Sequence, residues 1–143
     1  MKKIKIKYHT KQQALSAING ISDWIDLRAA ETVTLKAGDF KLISLGVSMQ
    51  LPKGYEAHIV PRSSTFKTWG IIQTNSMGII DNSYCGENDI WKMPVYATRD
   101  VVIQEGDRIC QFKIVRKMQP LCFKPVDKLN NNDRGGFGST GKR

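Results

Sequence analysis

The residues able to do chemistry fall in a few short segments, and the densest runs from 134 to 142, reading RGGFGSTGK. Glycines and small hydroxyl residues let successive backbone N–H groups turn onto phosphate oxygens, while Arg134 and Lys142 add positive charge. Gly136 to Lys142 matches GxxxxGK, yet Arg143 stands where a P-loop needs Ser or Thr, and neither the preceding strand nor the following helix is present. A solvated basic tail is the alternative reading. Phe137, an aromatic ring inside a glycine run, is suited to stacking on a nucleobase.

Residues 78–87 read GIIDNSYCGE. An apolar pair delivers Asp81 to a strand end, where a carboxylate can orient a water for in-line attack. An ordinary Asp-Asn-Ser turn gives the same letters. PRSS at 61–64 and DRICQ at 107–111 offer Arg62, Ser63 and Gln111 as donors to anionic oxygen, or else a capped turn and a salt-bridged strand. Asp26, in IDLRAA, could hold water on a divalent metal or pair with Arg28. His9 and His58 are too isolated for a metal site or a triad. Cys110 and Cys122 alternate within apolar stretches and are expected in the core, as are Trp24, Trp69 and Trp91.

The elements that must hold these groups are strands. Lys3 to Lys7 reads KIKIK, placing Ile4 and Ile6 on one face and lysines on the other. Further strands are predicted over residues 24–29, 32–35, 40–51, 55–60, 71–74, 91–97, 101–103, 108–117 and 121–124, with turn signals such as Pro52-Lys53-Gly54 and Glu105-Gly106-Asp107 between them. Residues 11–18 read equally as helix or loop, and 63–69 as one short helical turn with Ser63 or Ser64 as N-cap. Such spacing predicts an all-β sandwich or barrel. Residues 1–129 form the β-domain, and 130–143 form an arm with no core face, which orders only against a ligand or neighbour.

Composition narrows the class. The chain has 143 residues, 41% of them hydrophobic, which suits a single domain. Three cysteines with no CxxC pair, and no secretory segment, predict a reduced, cytoplasmic protein. No apolar run is long enough to span a membrane. A net charge of +9 points to a polyanionic partner. The absence of helix-turn-helix or aromatic RNP patterns ranks a phosphorylated small molecule above nucleic acid.

Taken together and in order, IDLRAA, PRSS, GIIDNSYCGE, GDRICQF and RGGFGSTGK resemble the five motifs of the trimeric dUTPases, over a span from about Asp23 to Lys142. The wording QTNSMGIID and NDIWKMPVYATRD is similar to a bacterial and phage branch of that family. The resemblance implies a jelly-roll-like β fold and a homotrimer with active sites between subunits, each closed by a neighbour's arm. It implies hydrolysis of dUTP to dUMP and pyrophosphate with Mg²⁺, keeping dUTP low and supplying dUMP for dTMP synthesis. By position, Asp81 holds the attacking water, Tyr84 packs under the deoxyribose, and Asn75 with backbone near Gly78 and Ile79 reads uracil. Arg62, Ser63 and Gln111 bind the α and β phosphates, with Ser64 in the same binding set. Arg134, Ser139 and Thr140, together with Gly138, close on the substrate, Phe137 stacks on uracil, and Asp26 acts on Mg²⁺ through water.

The departures from the family pattern are Cys85, Cys110 and the approach Asp23-Trp24-Ile25; Trp91 is expected in the core, though it could border the site. A dCTP deaminase would share the fold but need an acid-base group near Asn75-Ser76-Met77, where none is evident. A regulatory protein partner is the rival from another class, should the chain be phage-derived.

Overall fold

Period-2 patterning turns directly into strands. In the computed structural model, which describes residues 2–17 and 20–143, the inward residues of β9 (Lys92–Ala97) are Met93, Val95 and Ala97, while Lys92 and Tyr96 face out. The remaining strands are β1 (Lys5–Tyr8), β2 (Ile25–Arg28), β3 (Val33–Leu35), β4 (Phe40–Ser44), β5 (Val47–Gln50), β6 (Tyr55–Pro61), β7 (Ile71–Gln73), β8 (Gly78–Ile80), β10 (Val101–Ile103) and β11 (Arg108–Arg116). One helix, α1 (Thr65–Trp69), interrupts them. Ile4 and Ile6 pack on the core while Lys3, Lys5 and Lys7 stay exposed, as the alternation predicts.

All pairings are antiparallel. The order β2-β11-β6-β8 makes a four-stranded sheet and β4-β9-β7 a three-stranded one; β1-β5 and β10-β3 are two-stranded ribbons. One apolar cluster joins them, with Leu27, Ile43, Ile59, Trp91, Ile109 and Phe112 at its centre. Trp91 and Phe112 meet edge to face with centroids 5.2 Å apart, the geometry that the ring quadrupoles favour.

Three expectations need correction. The predicted strand over 40–51 is two strands, because Gly46 breaks it with a φ of 67° and sits so close to Ala30 that a Cβ would lie 2.9 Å from that methyl. Residues 121–124 form no strand and Cys122 is exposed: the stretch lies between Pro120 and Pro125, beyond the last ladder, and pairs with no strand among the described residues. Trp24 and Trp69 are only half-buried, whereas Trp91 is fully buried. Ser64 stands at the N-cap of the short helix, as expected, and its hydroxyl makes no capping bond. Residues 11–17 adopt neither helix nor strand, and Ile18, the last residue of that stretch, lies outside the described residues. Cys110 is buried as expected, and burial pushes its thiol pKa up, which keeps it protonated.

Candidate active site

The four-stranded sheet aligns three of the motifs. Asp26 on β2 is in register with Gln111 on β11, and Gln111 with Val60 on β6. Arg62 follows the end of β6 and reaches across: its Nε lies 3.0 Å from Asp26 Oδ1, and one of its terminal nitrogens donates to the Arg108 carbonyl at 3.2 Å. Arg108 holds the other oxygen of Asp26 at 3.1 Å. Asp26 therefore pairs with two arginines, and not with Arg28, which donates to the Gly106 carbonyl at 2.8 Å. Two guanidinium groups around one carboxylate leave a net positive cluster, half-buried, of the kind that binds phosphate oxygens. Gln111 donates to the Pro61 carbonyl at 3.1 Å and anchors the start of PRSS.

The PRSS turn is fixed from beneath by Thr65, which is fully buried. Its hydroxyl accepts from the Arg62 N–H at 2.8 Å and donates to the Ile109 carbonyl at 2.9 Å. Ser63 is exposed beside it and Ser64 half-buried.

At the other end of the sheet, β8 delivers Asp81. Its carboxylate accepts from the Ser83 N–H at 2.7 Å and from the Ser83 hydroxyl, and these two bonds hold its pKa below the ordinary 3.8. The carboxylate is solvent-exposed and stays ionised, which suits orienting a water better than accepting its proton. Asn82 locks the turn by donating to the carbonyls of Pro52 and Tyr55 at 2.8 and 3.0 Å. Tyr84 lies beside Asp81, its hydroxyl donating to the Ile90 carbonyl at 3.1 Å and its ring partly exposed. Asp81, Tyr84, Ile79 and Lys92 line a cavity of about 400 Å³ floored by Trp91, which thus both fills the core and borders the site.

The turn between β7 and β8 carries Asn75, exposed, with Ser76 at φ 60°. Gly78 is buried against Ile59, where a Cβ would lie 3.2 Å from the Ile59 Cβ, while Ile79 projects outward, 60% exposed. Because β8 is the edge of its sheet, backbone groups on its outer side pair with no strand among the described residues and can meet a ligand.

The two groups do not meet within the chain. Ile80, just before Asp81, pairs with Ala57, three residues from Val60 and on the far side of it from Arg62. At about 3.3 Å per residue, that separates Asp81 from the Asp26–Gln111 level by roughly 10 Å or more. The arm reaches neither group. Its hydrogen bonds are internal turns, Ser139 to Gly136 at 3.0 Å and Gly141 to Gly138 at 2.9 Å, and Phe137 is fully exposed with φ 52°. Arg134, Gly138, Ser139 and Thr140 are exposed with it.

Arg108, Thr65 and Gln73 are members of these groups that sequence reasoning did not single out. Only Gln73 carried a signal: it shares the inward phase of Ile71 in β7, where a buried amide needs a reason.

The family model for dUTPase matches residues 8–141. The chain is 59% identical over 140 residues to the SPbeta prophage-derived deoxyuridine 5'-triphosphate nucleotidohydrolase YosS of Bacillus subtilis, covering 98% of this chain and 99% of that one. Among solved structures, a mutant Staphylococcus bacteriophage 80alpha dUTPase with dUpNHpp superposes with a TM-score of 0.81 at 19% identity, covering 99% of this chain and 100% of that one. A mutant dUTPase from phage phi11 of S. aureus, described with a structural Mg(II) ion, gives 0.75 at 18% identity, covering 91% and 100%. With the fold shared and the family model matched almost from end to end, the chain belongs to the dUTPase family.

Proposed function

We propose that this dUTPase hydrolyses dUTP to dUMP and pyrophosphate in sites shared between the subunits of a homotrimer. The observation that carries the reading is the separation of the two groups at opposite ends of β6. Neither is a complete site, so the arginine cluster of one subunit must complete the Asp81–Tyr84 cavity of another, with a third subunit's arm (130–143) as the lid on the β-domain (1–129). The arm's exposed Phe137 and its exposed Gly138, Ser139 and Thr140 fit that role.

Asp81 orients a water toward the α-phosphorus. The water oxygen bonds to the α-phosphorus as the bond to the bridging oxygen breaks; pyrophosphate leaves with that electron pair, and the proton lost by the water passes to bulk solvent at the open Asp81 end. Arg62, Ser63, Ser64 and Gln111 hold the α and β phosphates, and Arg134, Gly138, Ser139 and Thr140 close over the rest. Positioning and charge neutralisation are the main demands of such a step. Tyr84 packs under the deoxyribose, where a 2′-hydroxyl would not fit. Asn75 and the outer edge of β8 at Gly78 and Ile79 meet uracil, and Phe137 stacks on it.

Magnesium fits as an ion carried by the triphosphate. Among the described residues no three His, Cys, Asp or Glu groups gather into a cage, and both oxygens of Asp26 are already held by arginines, so Asp26 would act on the ion through water. When bound, the ion neutralises charge on the phosphates. A cytoplasmic setting, with dUTP kept low and dUMP supplied for dTMP synthesis, belongs to the same reading. So does a regulatory protein partner, given the prophage origin of the Bacillus relative. Among the described residues no helix is long and apolar enough to cross a membrane.

The test is pyrophosphate release from dUTP, dCTP, dTTP and UTP by the purified protein with Mg²⁺. Release from dUTP alone is expected. Ammonia from dCTP would identify a deaminase, and silence toward all four from a folded protein would leave a binding role.

A further inference from the structure

Gln73 ends β7 beneath the turn that carries Asn75, and only 4% of it is exposed. Its Nε2 lies 3.0 Å from the Ile59 carbonyl oxygen and 3.0 Å from Asn75 Oδ1. A backbone carbonyl only accepts, so the amide nitrogen of Gln73 has to face Ile59. The second hydrogen of that nitrogen points at Asn75, which must then turn its oxygen toward Gln73. Asn75 Nδ2 is left on the other side, close to Gly78: a Cβ on Gly78 would lie 3.7 Å from it. Gln73 Oε1, meanwhile, is buried with no donor among the described residues. An unpaired buried acceptor is destabilising, and an apolar side chain here would avoid it. The value of this amide therefore lies in its nitrogen.

Resting on the reading that Asn75 meets the uracil edge, we propose that Gln73 is a positioning residue that sets base selectivity by fixing the orientation of the Asn75 amide. Held this way, Asn75 presents a donor to the pyrimidine. The C4 oxygen of uracil accepts from it, whereas the 4-amino group of cytosine opposes one donor with another. Without Gln73 the Asn75 amide can rotate, present its oxygen, and accept from cytosine. The residue that discriminates is then Asn75, and Gln73 is what prevents it from changing sides.

The experiment compares the KM for dUTP with the inhibition constant of dCTP, using the full chain with Mg²⁺. Gln73→Met keeps the length and removes the donor, with Gln73→Leu as a second apolar variant should the first not fold. Preference for dUTP over dCTP is expected to fall about tenfold, the size of one well-placed hydrogen bond, with kcat for dUTP largely kept. A purely structural role would lower the melting temperature and weaken both nucleotides alike, leaving the ratio unchanged. Asn75→Ala separates the two levels. If it abolishes the preference while the Gln73 variants keep it, the positioning role is overturned and the reading of Asn75 stands. If Asn75→Ala also keeps it, both fall.

Discussion

The two ends of β6 hold the same kind of cargo, functional side chains in a turn, but they are built in opposite ways. The Arg62 end is assembled from distant parts of the chain: Asp26 and Arg108 come from two strands, Arg62 from the turn after β6 and Thr65 from a helix start, joined by ion pairs to Asp26 and by a fully buried hydroxyl beneath Arg62. The Asp81 end is built mostly at close range: its carboxylate is satisfied by Ser83 two residues on, while the Asn82 amide ties the turn to the carbonyls of Pro52 and Tyr55. The first is rigid because sheet register fixes it. The second is rigid only as far as its local bonds reach, and it stays open to water. That division suits a reaction in which highly charged phosphates need a preorganised frame while the attacking water must enter.

The comparison can be broken most severely by exchanging parts between chains. Asp81→Asn is expected to lower kcat by about 10²–10⁴-fold with dUTP affinity nearly intact, and Arg62→Ala to weaken substrate binding instead. At dUTP well below the KM of the Arg62 variant both homogeneous variants should be slow, yet refolding the two together should restore turnover, because some sites then draw Arg62 from one chain and Asp81 from another. Steady-state rates against mixing ratio measure this. No recovery would place both groups in one chain's site.

A smaller effect tests the rigidity of the Arg62 end. Thr65→Val keeps the shape but strands the Arg62 N–H and the Ile109 carbonyl, and should cost about 1–3 kcal/mol in denaturant unfolding. KM for dUTP should rise more than kcat falls. Equal stability of the variant would mean that the hydroxyl is not what holds this turn.

The smallest effect sits at the Asp81 end. The Ser83 hydroxyl and N–H lower the pKa of Asp81 from 3.8. A carboxylate so lowered favours the fold above its unfolded value, and that contribution is lost as pH falls through the folded value. Ser83→Ala should move the Asp81 titration part of the way back toward 3.8, since the backbone donor remains. Carboxyl-detected NMR titration reads the change directly, and an unmoved titration would assign the lowering elsewhere.

The same contrast explains what could be read in the sequence. KIKIK, the alternation through β9 and the GIID turn are local patterns, and each appears where expected. The Asp81 end, written in consecutive letters, was legible down to its carboxylate. The Arg62 end was legible only as separate fragments, because the link from Asp26 to Arg108 depends on strand register and not on neighbouring letters. Asp26 accordingly read as either a holder of water on a metal or a partner of Arg28, two residues away, and its pairing with Arg62 and Arg108 was not visible. Leu121 to Lys124 misled for the complementary reason: apolar letters can suggest a strand, but a strand also needs an edge, and this stretch pairs with none among the described residues.

The length of β6 has a consequence of its own. With Arg62 at one end and Asp81 level with the other, its seven residues act as a spacer. In the shared arrangement, each chain lends its two ends to two different sites, so this strand does not measure the width of any one of them. Under that proposal it would set the interval between neighbouring sites around the ring. A one-residue insertion would turn its inward face outward, and a two-residue insertion would lengthen that interval by about 6.6 Å. A strand that carries no catalytic side chain thereby becomes the molecule's least adjustable dimension.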